Sequence, residues 1–402
     1  MNRESESRSQ NPQSRGRELA SGVRDDDAAV MARLKSVLPE TVSHDLAPEI
    51  LAKVKAAGPA ATTVWRWAYP LAAAAALVLL LGGVWLRAGR GGGIGDQAVA
   101  WLCRTQEADG SWSTARWGGD RHFEVALTAL SLMTLLDESG GSSRATQEID
   151  RSVDQAIGYL LRRQQPDGRF GEAFSCSPYN QGMATLALAK ACKTHPDAAL
   201  RKALDRAIAR IRASQYADGG WGYFNEAHPS SNLSITLWQL EALRLASAQG
   251  WPDLKPCIDR GLRWMAGVAS DDGSFGYQKS GDTPGTASQT LTAMGAMSLL
   301  DAAQAGLMPA NRRQAIKAQM MRLASAPGAD MDYYRRYFLA AALKKMDEES
   351  ARRDLSSLRG ELLTRQVRGG TEAGSWSADD RWASSGGRIY ATAMASLSLR
   401  FK

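Results

Sequence analysis

Gln106-Glu107-Ala108-Asp109-Gly110-Ser111-Trp112 decides the fold, because the chain repeats it. Gln164-Gln165-Pro166-Asp167-Gly168-Arg169-Phe170 is a second copy and Gln215-Tyr216-Ala217-Asp218-Gly219-Gly220-Trp221 a third. Ser270-Asp271-Asp272-Gly273-Ser274-Phe275 lacks the Gln, and Glu372-Ala373-Gly374-Ser375-Trp376 is a weaker last copy. A fixed period of this length marks an array of one supersecondary unit, and it outranks local propensity.

Every copy sits between two helical patterns. Ala98, Trp101 and Leu102 precede the first, and Val125-Ala126-Leu127-Thr128-Ala129-Leu130-Ser131-Leu132-Met133 follows it. The helices before the motif carry the Arg, Lys and Asp of a layer facing water. Those after it are rich in Ala, Ser, Thr and Gly, which let helices pack closely in an inner layer. Gly110 to Gly168 is 58 positions, Gly168 to Gly219 is 51 and Gly219 to Gly273 is 54. Gly273 to Gly374 is 101, close to two units. A degenerate fifth unit fills the gap: Ala315-Ile316 to Leu323, then Tyr333 to Met346, with Ser325-Ala326-Pro327-Gly328 in place of the motif. The expected fold is all-α, an (α/α)6 toroid of six helical hairpins over residues 94–402, its last hairpin packed on its first.

Inside the motif each residue has a structural task. Gly ends a helix in the left-handed conformation, Asp braces the turn through nearby backbone, and the aromatic carries buried apolar area. The Gln is expected to bond to backbone at the helix end.

Trp101-Leu102, three residues, Gln106, three residues and Gly110-Ser111-Trp112 resemble the QW repeat of squalene and terpene cyclases and the related prenyltransferase repeats. Tyr159-Leu160, Gln164, Gly168 and Phe170 match again, and the resemblance covers about the last three quarters of the chain. It implies an α/α toroid. Such cyclases protonate an alkene with an Asp of an Asp-x-Asp-Asp-Thr-Ala motif at the start of an inner helix, where a strong acid meets a dry hydrocarbon cavity. The comparable positions here read Phe123-Glu124-Val125-Ala126, Ser177-Pro178-Tyr179-Asn180, Ser230-Ser231-Asn232-Leu233-Ser234, Pro284-Gly285-Thr286-Ala287-Ser288 and Gly387-Arg388-Ile389-Tyr390. None is that motif, and Asp271-Asp272 belongs to a repeat turn. The inner helices favour Ala, Thr, Leu and Met, so a thin aromatic lining is expected, with little to stabilise a carbocation. The zinc of protein prenyltransferases needs Asp, Cys and His. Cys176 precedes an inner helix without partners in a ligand pattern. The Cys-Gly-Glu-Gln of thioester proteins is absent. No cofactor and no metal are expected.

With the catalytic residues unknown, the ligand-binding candidates are residues around the inner-helix starts, which ring one mouth of a toroid. They are Asp120, His122 and Glu124 in the first unit, Glu226 and His228 in the third, and Asp282 in the fourth. Tyr179 and Tyr390 are candidates to face the cavity. His122 and His228 could share a metal or an acid–base task; solvated loop residues and caps are the plainer reading.

Residues 1–30 hold almost no large apolar side chain and read as a disordered tail. Residues 31–63 read as a short helical juxtamembrane segment. Trp67 to Leu86 is about twenty residues without a charge, flanked by Arg66 and Arg87, with Trp65, Trp67, Tyr69 and Trp85 at its ends. That length crosses a hydrocarbon core of about 30 Å and the aromatics suit its interfaces. Residues 64–87 are therefore expected to be a single transmembrane helix, followed by a linker over 88–93. Leu38 to Ala57, leading into Trp65-Arg66-Trp67, resembles the juxtamembrane part of bacterial anti-sigma-factor-like proteins, whose N-terminus is cytoplasmic. The resemblance implies a bacterial-type inner membrane with the toroid on the periplasmic side.

The net charge is +7, yet Arg is spread over many helices with no basic tract and no nucleic-acid motif, so no nucleic-acid partner is expected. The four cysteines form neither a C-x-x-C nor a zinc spacing and read as separate thiols. Two functions follow. In the first, the toroid binds a lipid, a glycan or a protein at its mouth beside a membrane and catalyses nothing. In the second, it is a diverged cyclase or prenyltransferase-type enzyme acting on an isoprenoid or other lipid. A wide apolar cavity lined by aromatics would favour the enzyme.

Overall fold

A computed structural model describes residues 94–139, 143–223, 230–283, 286–301, 306–325, 331–346 and 348–401. Among them are twelve α-helices in six hairpins. The odd-numbered helices open each hairpin: α1 (Ile94–Thr105), α3 (Arg144–Arg163), α5 (Ala198–Ala213), α7 (Lys255–Gly267), α9 (Ala310–Ser325) and α11 (Glu349–Arg365). The even-numbered helices close it: α2 (Glu124–Leu136), α4 (Ser177–Cys192), α6 (Leu233–Ala248), α8 (Thr286–Leu299), α10 (Tyr333–Met346) and α12 (Ala383–Ser398). No β-strand occurs among the described residues, only isolated bridges that brace turns, such as Gln164 against Phe170.

Burial separates the two layers. Helix α2 is buried without a break from Val125 to Leu136. Helix α5 instead buries Leu200, Ala203, Leu204, Ala207, Ile208 and Ile211. That is a single apolar stripe at helical spacing, with the Arg and Lys turned outward. The even helices therefore form an inner ring and the odd helices an outer one. Each inner helix packs on the next, and α12 returns to α2.

The repeated turns join the outer helices. Gly110, Gly168, Gly219, Gly273 and Gly374 all have φ between 83° and 98°, where a side chain is strained. Each also presses on the next outer helix: a Cβ on Gly110 would lie 2.1 Å from the Gln155 oxygen of α3. The Gln does more than end its own helix. Gln106 Nε2 donates to the Gly110 carbonyl at 3.0 Å and to the Ser152 carbonyl of α3 at 2.9 Å. Gln215 repeats this with Gly219 and Cys257. Asp109 Oδ1 accepts from the Ser111 N–H at 3.0 Å, as the brace of the turn requires. Trp112, Trp221 and Trp376 are buried, and each indole N–H donates to a carbonyl of its own outer helix.

The ring closes through the same contacts. Gly374 faces α1, where a Cβ would lie 2.2 Å from the Gln97 oxygen. Arg104 Nη2 donates to the Ala373 carbonyl at 3.1 Å, and the Asp120 N–H to the Ser385 carbonyl at 3.0 Å. The fifth unit has the expected helix pair, α9 and α10; most of its turn, residues 326–330, lies outside the described residues. The tail, the juxtamembrane segment, the span 64–87 and the linker 88–93 lie outside them too. Among the described residues no helix is long and apolar enough to cross a membrane. The four cysteines are free thiols.

Candidate functional site

The N-terminal ends of the six inner helices surround a cavity of about 380 Å³. Leu127 and Leu130 of α2, Met183 of α4, Ser234 of α6, Leu291 and Met294 of α8, Tyr334 of α10 and Tyr390 of α12 all line it. Among the described residues, seven aromatic side chains face it: Phe123, Tyr179, Tyr223, Tyr277, Tyr334, Trp382 and Tyr390. This corrects the expectation of a thin aromatic lining. The rings come from the loops and first turns, not from the helix bodies whose composition suggested otherwise.

The tyrosine hydroxyls around the cavity are paired. Tyr277 donates to the Tyr223 hydroxyl at 2.7 Å, Tyr179 pairs with Ser234, and Trp238 donates its indole N–H to Tyr334. Burial pushes the phenols of Tyr179, Tyr277, Tyr334 and Tyr390 up, so they stay neutral.

Behind this lining stands a buried carboxyl, Asp380, 8% exposed. Its Oδ2 accepts from the Tyr390 hydroxyl at 2.8 Å and from the Tyr333 N–H at 3.0 Å, and its Oδ1 from the Trp382 N–H at 2.9 Å. The Tyr390 oxygen in turn accepts from the Tyr334 N–H at 3.0 Å. Burial pushes Asp380 up more than these donors pull it down, and the nearby Asp332 adds to the rise. A carboxyl held this way keeps a proton to higher pH than a solvated one.

At the opposite ends of α2 and α8, cations from neighbouring elements cover carbonyls. Lys190 donates to the Met133 carbonyl of α2 at 3.1 Å, Lys345 to the Met297 carbonyl of α8 at 2.6 Å, and Arg400 to the Thr134 carbonyl of α2 at 3.2 Å. Cations there complement the negative ends of the helices.

The structure sorts the residues singled out from sequence. Tyr179 and Tyr390 line the cavity. Asp120 and His122 sit at its rim but are exposed: Asp120 Oδ1 accepts the His122 N–H at 2.9 Å and bonds its Nδ1 at 2.7 Å, capping the 3-10 turn Arg121–Phe123. The His122 backbone N–H, chiefly, holds the Asp120 carboxyl below its usual range. Glu124 turns away from the cavity, accepting from the Tyr159 hydroxyl of α3 at 3.0 Å, and burial pushes its carboxyl up. Asp282 gathers the N–H groups of Tyr277, Gln278 and Lys279 and the Thr283 hydroxyl, so it holds a loop. Burial pushes Asp282 up, but these bonds together outweigh it and leave it low. Glu226 and His228 lie outside the described residues, so a pairing of His228 with His122 is not tested. Asp271 and Asp272 belong to the turn, as read: Asp272 accepts from the Ser274 N–H and Asp271 pairs with Arg312.

Sequence reasoning missed Asp380, Arg381 and Trp382. Helix α12 starts at Ala383 and is interrupted at Gly387 (φ 59°, ψ −160°), so the true counterpart of the other mouth loops lies upstream of Gly387-Arg388-Ile389-Tyr390. The signal was there, an acidic pair followed by Arg-Trp just before an inner helix. Asp332 and Tyr334 carry no such signal, because the fifth unit lacks the motif that marks the loop before an inner helix.

The family model of the prenyltransferase alpha-alpha toroid domain matches residues 68–193, 96–235 and 182–374. The chain belongs to this family, and its fold is that of squalene- and terpene-cyclase-like toroids. The first matched range begins inside the stretch read as a membrane span. Drimenyl diphosphate synthase of Streptomyces showdoensis is 32% identical over 194 residues, 47% of this chain but only 33% of that one. A ligand-free type II terpene cyclase of Scytonema superposes with a TM-score of 0.50 at 16% identity, over 76% of this chain and 96% of that one. Cellobiose 2-epimerase of Spirochaeta thermophila gives 0.56 at 12% identity, over 84% and 98%. At such identities both structures speak for the fold alone, which serves hydrocarbon and sugar chemistry alike.

Proposed function

We propose that this toroid takes one isoprenoid-type chain into the cavity and cyclises it after protonating an alkene, with Asp380 holding the proton and Tyr390 delivering it. The observation that carries this reading is the lining: among the described residues, seven aromatic rings stand beside Ala126, Leu127, Leu130, Met183, Leu291 and Met294, and none of the described lining residues is a carboxylate. Aromatic faces stabilise a migrating cation without trapping it, whereas a carboxylate at the wall would capture it. When Asp380 is protonated, its O–H turns to the Tyr390 oxygen, which frees the phenolic hydrogen for the cavity. In one concerted step a C–H bond forms from the alkene π pair, the Tyr390 O–H breaks, and the Asp380 proton restores the phenol. The carboxylate left behind is held by the Tyr333 and Trp382 N–H groups. Loss of a proton from the final cation closes the balance. The isoprenoid class is supported by the drimenyl diphosphate synthase relative.

The test separates catalysis from binding. Asp380→Asn should remove turnover of a linear C15 or C20 isoprenoid by at least about 10²-fold while leaving its affinity within a factor of two or so. Since the acid must be protonated and burial raises it, turnover should fall as pH climbs above the ordinary carboxylate range. Affinity with no turnover in the parent chain at any pH would instead establish the second reading, a non-catalytic binder. That reading draws on Asp380 standing behind Tyr390 and not in the wall.

We propose also that residues 64–87 anchor the chain in a membrane with the toroid on its outer side. The uncharged length and the flanking aromatics support this. A C-terminal reporter active only in the cytoplasm would, if active, sink the outer placement.

A further inference from the structure

The cavity wall carries a second hydroxyl with a buried carboxyl behind it. Thr290 of α8 lines the cavity together with Leu291 and Met294, and its hydroxyl donates to Asp332 Oδ2 at 3.0 Å. Asp332 directly precedes α10 and is 5% exposed; its Oδ1 accepts from the Arg335 N–H at 2.8 Å. The other side of α10 has the same arrangement, where Tyr390 lines the cavity and donates to Asp380. The first turn of α10 joins the two. Its successive N–H groups go to Asp380 from Tyr333 at 3.0 Å, to the Tyr390 oxygen from Tyr334 at 3.0 Å, and to Asp332 from Arg335.

Two carboxyls held by one helix start divide into an acid and a base, because like charges in a buried site repel. The charge of Asp332 is among the causes that raise Asp380. A third hydroxyl–carboxyl pair differs. Thr283 also lines the cavity and donates to Asp282 at 2.9 Å. Asp282 accepts three N–H groups besides, and four donors fill a carboxylate. Asp332 accepts from two groups among the described residues, which leaves it room for a proton.

We propose that Thr290 and Asp332 are the base that ends the reaction: the Thr290 hydroxyl takes a proton from the final cation and passes its own to Asp332. This base rests on the cyclase reading of Asp380 and Tyr390 and supplies the proton acceptor left open there. A C–H bond beside the cationic carbon breaks, and its electron pair becomes the π bond of the product. A new O–H bond forms at Thr290 as its former proton moves to Asp332 Oδ2. Asp332 ends neutral and Asp380 ends ionised; release of one proton to solvent and uptake of another reset them. A C–H beside a carbocation is acidic enough for a hydroxyl to remove when a carboxylate stands behind it. The charge stays behind Thr290, so the wall presents no carboxylate to capture the cation.

Incubating the full chain with a linear C15 or C20 isoprenoid, and resolving the products by gas chromatography and mass spectrometry, tests this. The parent should give one main alkene. Thr290→Val keeps the shape without the hydroxyl. It should lower the ratio of that alkene to other isomers and water-quenched alcohols by about tenfold or more, since one positioned proton acceptor contributes about 10²- to 10⁴-fold. Asp332→Asn, which still caps α10, should move the ratio the same way. Thr290→Ser should hold it near the parent value, and Thr283→Val should not move it. Both Thr290→Val and Asp332→Asn should go on consuming substrate, unlike Asp380→Asn, because the acid is in place. A ratio unchanged in Thr290→Val, or moved as far by Thr283→Val, overturns the base assignment alone. Loss of consumption in both variants, as in Asp380→Asn, puts Asp332 with the acid and overturns it too. A parent chain that consumes neither isoprenoid brings down the cyclase reading itself, which keeps the two failures apart.

Discussion

At the front of the inner ring, the first turns of α2, α4, α6, α8, α10 and α12 open onto aromatic rings and one cation. At the back, the last turns of the inner ring meet Lys190, Lys345 and Arg400, each donating to a carbonyl of a neighbouring inner helix. The same helices are thus finished in two ways, and helix polarity explains the choice. Free N–H groups at a helix start can face a ligand, whereas free carbonyls at a helix end must be covered when they are buried. The front also has the longer connections. The loop from α1 to α2 covers residues 106–123, while that from α10 to α11 is residues 347–348. Long loops leave room for rings and an acid; short ones leave room only for caps. In α2 and α8, site and seal therefore lie at opposite ends of one helix, as expected of a scaffold whose function resides in its loops.

Two substitutions sharpen this contrast. The larger effect should come from Trp221→Ala at the front. Trp221 is 2% exposed, and its indole N–H ties the turn to Ile211 at 2.8 Å. Removing it should cost about 3–5 kcal/mol, read from the denaturant midpoint. A loss below about 1 kcal/mol would mean that the turns decorate the ring and do not hold it. Lys345→Met at the back should be milder, about 1–3 kcal/mol, the cost of uncovering a buried carbonyl. Ligand affinity should be untouched. If affinity moves more than about twofold, roughly 0.4 kcal/mol, the two ends are coupled and the contrast fails.

The architecture was legible in the sequence because each motif residue is forced by a local need. Gly110 must take positive φ, Asp109 must brace the turn, and Trp112 must find cover. Spacing alone then counted the units, and even the degenerate fifth could be placed. The site was legible only in part, because a toroid assembles it from six loops that are distant in sequence. Tyr390 was found, but its partner Asp380 was not, since the break at Gly387 shifts the register of the last loop. Glu124 was misjudged for a related reason. Its Tyr159 partner lies 35 residues away on an outer helix, and nothing near Glu124 in sequence shows that it points there. The thin-lining expectation failed because it weighed the inner helices by composition, while Phe123, Tyr223, Tyr277 and Trp382 stand outside them.

The closure at Gly374 and α1 has a kinetic side. Arg104 and Ala373 are 269 residues apart, and Arg400 and Glu138 are 262 apart. Joining such distant segments in an unfolded chain costs roughly 5 kcal/mol of loop entropy, about 1.5 kcal/mol more than closing roughly fifty residues, the spacing of neighbouring hairpins. Hairpins should therefore accrete along the chain first, as an open arc, and the sixth should find the first last. Until it does, the arc presents two unsatisfied apolar edges, the surfaces by which a partly folded molecule would join another. Once it does, unfolding has to start where the circle was last joined, so the lifetime of the native ring should be set at this one seam.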